Sequence, residues 1–264
     1  MTARRSEFSE EDLGKFETFK KIVGRLRGPG GCPWDRKQTH DSLKQYLVEE
    51  CYEVLETIEE GDSQALSQEL GDLWLQIMLH AQIAQEKGEF KLEDVLRQIN
   101  SKLIYRHPHV FGDKKVNTAE EVSLDWEELK GKEKPGNSIL SGVPGGLPAL
   151  AYSQSVQRRA ASVGFDWDKV DDIIEKLAEE IEELKKAAGQ EEKAREFGDM
   201  LLALVNIARR MDIDAESALR QANMRFTSRF KYIEEACASK GVDLKSLTLA
   251  EMDKLWDEAK KKLE

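Results

Sequence analysis

The chain has 264 residues, with 40 Lys+Arg against 51 Asp+Glu and a formal net charge of −11. Hydrophobic residues at 40% and charged residues at 34% exclude an intrinsically disordered chain, and no run of 18 apolar residues exists to span a bilayer as a helix. At a pI near 5.1 the surface repels nucleic-acid polymers, and it repels free nucleotides too unless a cation mediates.

The opening stretch, MTARRSEFSEEDLGKF, has basic residues but no apolar core, so a secretory signal is not expected. Ser9-x-x-Asp12 reads as an N-cap box for a helix whose apolar face is Leu13, Phe16, Phe19, Ile22, Val23 and Leu26. Leu47, Val48, Cys51, Val54, Leu55 and Ile58 form a second helical stripe, and Leu70, Leu73, Trp74, Ile77, Met78, Ala81 and Ala84 a third. His107 and His109 flank Pro108 in what reads as a structural loop. Val170, Ile174, Leu177, Ile181 and Leu184 repeat the helical pattern, followed by Leu201, Leu202, Val205 and Ala208. All six prolines lie between Pro29 and Pro148, which leaves the last 116 residues free of helix breakers. No segment alternates as a strand does, so the fold class is all-α. Cys32, Cys51 and Cys237 lack a CxxC spacing and are expected to be idle thiols rather than a disulfide or zinc site.

Gly131 to Pro148 holds three prolines and five glycines and reads as a linker. It divides the chain into an N-terminal helical domain, 1–130, the linker, 131–148, and a C-terminal helical domain, 149–264. The halves repeat one another. Glu49-Glu50-Cys-Tyr-Glu53 is followed after fifteen residues by Glu69-Leu-Gly-Asp72; Glu179-Glu180-Ile-Glu-Glu183 is followed after twelve by Glu196-Phe-Gly-Asp199. Downstream, Asn100-x-Lys102-x-x-x-Arg106 matches Asn223-x-Arg225-x-x-x-Arg229, and Trp126-x-x-x-Lys130 matches Trp256-x-x-x-Lys260. Four features in the same order indicate a tandem duplication.

With 51 acidic residues, an ExxE pair arises by chance about ten times, and a single one reads as a solvated helix face. The doubled EExxE…ExxD pattern is far more specific. Residues i and i+3 lie about 60° apart on a helix, so Glu50 with Glu53, Glu69 with Asp72, and their repeats can converge their carboxylates. Such groups stay ionised together only around a cation, and an all-oxygen ligand set favours Mg²⁺ or Mn²⁺ over zinc. Gly71 and Gly198 are expected to let helices approach closely. Arg225 and Arg229 share a helix face and can grip a polyphosphate or pair with neighbouring acids; Trp256 can stack on a base or pack in the core. No Walker A loop, GxGxxG or Ser-His-Asp order occurs, which excludes a P-loop ATPase.

These motifs, with Gly31-Cys-Pro-Trp-Asp35, Gln38-Thr39, Arg106-His-Pro-His-Val-Phe111, Leu147-Pro-Ala-Leu150 and Val163-Gly-Phe-Asp-Trp167, resemble the MazG family of the all-α nucleoside triphosphate pyrophosphatases. The resemblance covers nearly the whole chain. It implies two tandem MazG-like helical domains whose four-helix-bundle cores are completed by dimerisation, and cytoplasmic, Mg²⁺-dependent hydrolysis of NTPs to NMP and pyrophosphate. It implies metal ligands at Glu180, Glu183, Glu196 and Asp199, with Glu179 beside them; Glu179, or a ligand carboxylate in its place, reads as the group that orients water. Nucleotide contacts fall on Lys176, Arg225, Arg229 and Trp256. In the first half the acids are Glu49, Glu50, Glu53, Glu69 and Asp72, and the phosphate contacts Lys102, Arg106 and Lys130. A family lysine before the ExxD motif aligns with Glu192, a departure that leaves one phosphate contact open. The second half is expected to carry most of the activity, because Tyr46 stands where it has Lys176. Two other readings remain: a non-enzymatic helical interaction module, and a pyrophosphatase confined to dUTP or dCTP.

Overall fold

The computed structural model describes residues 8–116, 118, 121–122, 126, 129 and 138–263. The described residues form helices and turns without strands. The chain divides into two compact units between Thr118 and Ala119.

In the first unit α1 spans Glu10–Leu13, α2 Phe16–Arg27, α3 Pro33–Lys37, α4 Lys44–Glu60, α5 Ser63–Lys87, α6 Leu92–Arg106 and α7 Pro108–Phe111. The Ser9–Asp12 capping box forms, but Gly14 and the extended Lys15 break the expected single helix in two. Glycine has the lowest helix propensity after proline, and Lys15 N–H turns back to the Asp12 carbonyl instead. The segment around Pro108 is likewise a helical turn rather than a loop, since proline is well suited to a first helical position. Gly61, at φ 71°, ends α4, and the Asp62 side chain caps α5 through the Gln64 and Ala65 N–H groups, folding the two into a hairpin. The core gathers Val23, Leu43, Met78, Leu79, Ala81, Ile83 and Leu92. The buried guanidinium of Arg27 ties α2 to α5 through Glu86 (2.8 Å) and holds the α3 segment by the Asp35 and Gln38 carbonyls. Gly31 seats that segment, because a Cβ there would collide with the Arg25 and Leu26 carbonyl oxygens.

In the second unit α8 spans Ala149–Ala161, α9 Val170–Lys186, α10 Gln190–Arg210, α11 Ala215–Lys240 and α12 Leu249–Leu263, with a 3₁₀ turn at Leu244–Ser246. Helices α9 and α10 pack as a hairpin, α8 lies on α10 and α11, and α12 covers α11. Buried Gln154 of α8 satisfies both ends of its amide in the α10–α11 turn, donating to Ile213 O (2.7 Å) and accepting from Ala215 N–H (2.9 Å). Asp166, in the Val163–Trp167 segment, pairs with Arg209 and Arg210.

The apolar stripes are only partly covered. Val48, Tyr52, Leu70, Trp74 and Ile77 are exposed on the first hairpin, as are Ile174, Ile181, Leu201 and Leu204 on the second. On α9 the buried residues are Ile173 and Glu180; of the expected stripe Val170, Leu177 and Leu184 are half-buried, while Ile174 and Ile181 are exposed.

Candidate active site

The acids of each repeat sit on a helical hairpin, so two helices contribute to each cluster. In the first unit Glu50 of α4 meets Glu69 and Asp72 of α5, with ligand oxygens all within 4.8 Å of one another. Burial pushes the Glu50 carboxyl above the usual carboxylate range; Asp72 and Glu53 push the same way, while the amide of Gln76 (3.3 Å) opposes them. Glu49 and Glu53 are exposed and lie outside this group.

In the second unit Glu180 and Glu183 of α9 meet Glu196 of α10 with the same 4.8 Å spread. Glu180 and Glu196 are each only 6% exposed. Asp199, exposed and one turn beyond Glu196, lines the same cleft of about 480 Å³. Lys176 Nζ donates to Glu179 Oε2 and Glu180 Oε1, both at 2.8 Å, and these bonds raise the lysine's pKa well above its ordinary value. Arg195 Nη2 lies 2.6 Å from Glu196 Oε1.

This donor chemistry fits a hard divalent cation. Each cluster offers three carboxylates and no imidazole or thiolate, a ligand set suited to such an ion, and two of the three in the second unit are buried. The clusters' geometry leaves Asp199 and Glu53 beside, not within, their three-residue groups.

The expected nucleotide contacts divide into two sets. Among the described residues, the cleft is lined by Lys176, Lys186 and Arg195 together with acids, and Arg225, Arg229 and Trp256 do not line it. Those three lie on α11 and α12, where the Arg229 guanidinium sits 5.3 Å from the Trp256 ring centre and Phe226 packs 5.1 Å away. In the first unit Lys102 is exposed and Arg106 buried on α6, and Lys130 lies outside the described residues.

Two cleft cations escaped the sequence reading. Arg195 adjoins an acidic motif, where a lone basic residue reads as a surface ion pair; its signal is that it stands one turn beyond Glu192 on the same helix face. Lys186 lines the cleft from the end of α9. Glu192 itself lines the cleft, and its Oε2 accepts from Ala188 N–H (2.9 Å). Gly71 and Gly198 do not serve close approach within the chain, since a Cβ at either meets nothing within 4 Å.

Carboxylates from two adjoining helices, gathered twice over on helical hairpins, make a candidate cation site in each unit, and comparison with known proteins shows which family builds it. The MazG nucleotide pyrophosphohydrolase domain matches residues 38–111. The chain is 45% identical over 247 residues to the nucleoside triphosphate pyrophosphohydrolase/pyrophosphatase MazG of Thermotoga maritima, covering 93% of this chain and 95% of that one. It is 39% identical over 258 residues to the nucleoside triphosphate pyrophosphohydrolase of Escherichia coli, covering 94% and 98%. It is 49% identical over 252 residues to the Bacillus subtilis protein YabN, covering 93% of this chain and 52% of that longer one. The chain belongs to the MazG nucleotide pyrophosphohydrolase family and is an enzyme.

Proposed function

We propose that the chain hydrolyses nucleoside triphosphates, ribo- and deoxyribonucleotides alike, to the nucleoside monophosphate and pyrophosphate, with Mg²⁺ as its cation and Mn²⁺ as a substitute. The carrying observation is the convergence of Glu180, Glu183 and Glu196 in a cleft that also presents Lys176, Lys186 and Arg195. A polyphosphate needs this combination: carboxylates to hold a cation, and fixed positive charge for phosphate oxygens that the cation does not reach.

Glu180, Glu183, Glu196 and Asp199 would hold the cation in the second unit, and Glu50, Glu69 and Asp72, flanked by Glu49 and Glu53, in the first. When bound, it neutralises phosphate oxygens and makes water a better nucleophile. Glu179, whose Oε2 already accepts from Lys176, orients the attacking water and takes its proton at a carboxylate oxygen. The water oxygen bonds to the α-phosphorus, the bridging α–β P–O bond breaks, and its electron pair leaves with pyrophosphate. Lys176 offsets the charge on that leaving group from within the cleft. Arg225 and Arg229 would add to it, and Trp256 would carry the base, where the nucleotide extends beyond the cleft lining to α11 and α12. Lys102, Arg106 and Lys130 have the corresponding parts in the first unit. The proposed role is housekeeping of the cytoplasmic nucleotide pool.

The exposed apolar faces of both hairpins support a homodimer, since a second copy is the simplest cover for an α4–α5 or α9–α10 pair. Ion chromatography of products from each NTP and dNTP, with Mg²⁺ and with EDTA, tests the reading. Release of NMP and pyrophosphate only with the metal is expected; NDP with orthophosphate, or no turnover of any nucleotide, overturns it.

A further inference from the structure

Glu180 and Glu196 are buried carboxylates from facing helices, and each is met by one basic side chain: Glu180 by Lys176 (2.8 Å) and Glu196 by Arg195 (2.6 Å). The two pairs differ in how they are held. Lys176 bridges two acids of its own helix, whereas Arg195 adjoins its partner in sequence and remains 70% exposed. A buried carboxylate held by one long, exposed side chain is neutralised but weakly gripped, because solvent screens the pair and the side chain loses rotamer freedom in forming it.

Resting on the nucleotide reading above, we propose that Arg195 is an exchangeable counter-charge: it neutralises Glu196 while the site holds no divalent cation, and grips the substrate's outer phosphates once a cation takes that carboxylate. Two observations and one electrostatic argument converge on this assignment. Arg195 pairs with a carboxylate of the three-acid group and lines the cleft those acids open into. With a divalent cation among Glu180, Glu183 and Glu196, the guanidinium would face a like charge and is driven off Glu196 into that cleft. The wall it occupies otherwise carries Glu192, whose carboxylate caps Ala188 N–H. One turn further along α10, Arg195 thus brings to that wall a planar, permanently charged fork that matches phosphate oxygens in pairs.

The exchange predicts opposite effects from one substitution. In Arg195→Gln the acid cluster loses its competing cation, so Mn²⁺ titrated calorimetrically into the nucleotide-free protein binds about threefold tighter. The same variant, saturated with Mn²⁺, binds adenosine 5′-(α,β-methylene)triphosphate at least about tenfold more weakly than wild type. Arg195→Lys keeps the charge and loses the fork, so it retains wild-type Mn²⁺ affinity and falls between the two in nucleotide affinity. Lys185→Gln removes an equal charge from a lysine that pairs with exposed Glu182 (2.6 Å), and should alter neither binding by as much as twofold. A purely structural Arg195 would weaken both bindings on removal, and that result overturns the proposal, as does an unchanged Mn²⁺ affinity or an equal response from Lys185→Gln. Wild-type protein unable to bind the analogue would sink the nucleotide reading as well. Equal nucleotide binding by wild type and Arg195→Gln would sink only the exchange.

Discussion

Lys176 Nζ stands 2.8 Å from Glu180 Oε1, one helical turn away and on the cleft side of α9; the matching position before Glu50 is Tyr46. One acid cluster therefore has a cation bonded to it from its own helix, whereas at the matching place in the other repeat Tyr46 packs edge-on to Trp34. The clusters differ in a second way, since Glu183 belongs to its three-acid group while its counterpart Glu53 does not.

From this asymmetry, Glu183→Gln is expected to lose at least about tenfold in pyrophosphate release, roughly 1.4 kcal/mol of transition-state stabilisation, while Glu53→Gln keeps most activity. Both variants are checked for native helicity first. The reverse order would make the first unit the enzyme.

Metal binding should stabilise the fold as well as support turnover. Three carboxylates packed within 4.8 Å repel one another, and a cation held among them offsets that repulsion. Mg²⁺ at a hundred times its dissociation constant should add about 2.7 kcal/mol to the stability of the unit that binds it, read as a rise in melting temperature. Exhaustive chelation should abolish activity; full turnover after it would defeat the mechanism.

His40 and His80 in the first unit stack at 5.0 Å between ring centres with their Nδ1 atoms 2.7 Å apart, so one ring must donate to the other. Burial, and then the charge His40 can carry, lower the pKa of His80 from its ordinary 6.5; the nearby acid is Glu89, 3.8 Å from His40 Nε2. A folded-state pKa below the unfolded value means the unfolded chain binds the proton more readily. The stability from neutral His80 is therefore complete above about pH 6.5 and declines as the pH falls toward the folded-state pKa. The opening free energies of the α5 amides, taken from hydrogen exchange after correction for its intrinsic pH dependence, should fall over that range in the wild type, and the slope should flatten in His80→Phe, which keeps the stacking but cannot titrate.

Exposed Val48, Tyr52, Leu70, Trp74 and Ile77 on one hairpin make a dimer the expected solution state. Light scattering should give twice the 30.0 kDa chain mass, and Trp74→Glu should shift the equilibrium toward monomer. A stable monomer of the wild type at micromolar concentration would contradict the expectation.

Much was legible in the residues themselves. Proline distribution and the 3.6-residue apolar period indicate helices throughout, and the repeated EExxE…ExxD marks which helices carry the acids, because both depend only on local geometry along one helix. The same holds for Lys176, whose distance of one turn from Glu179 and Glu180 is a matter of spacing. Helix ends were less legible: the break at Gly14 and Lys15 turned on a single N–H choosing the Asp12 carbonyl. What only the tertiary structure decided is which face each helix turns to its neighbour. Periodicity located an apolar stripe on α9 from Val170 to Leu184, but the fold buries Ile173 and Glu180 most deeply, half-buries Val170, Leu177 and Leu184, and leaves Ile174 and Ile181 exposed. Arg195 meets Glu196 as its neighbour along the chain, but the burial of Glu180 and Glu196 follows from that rotation, because helix orientation is set by contacts between distant residues that no spacing along the chain encodes.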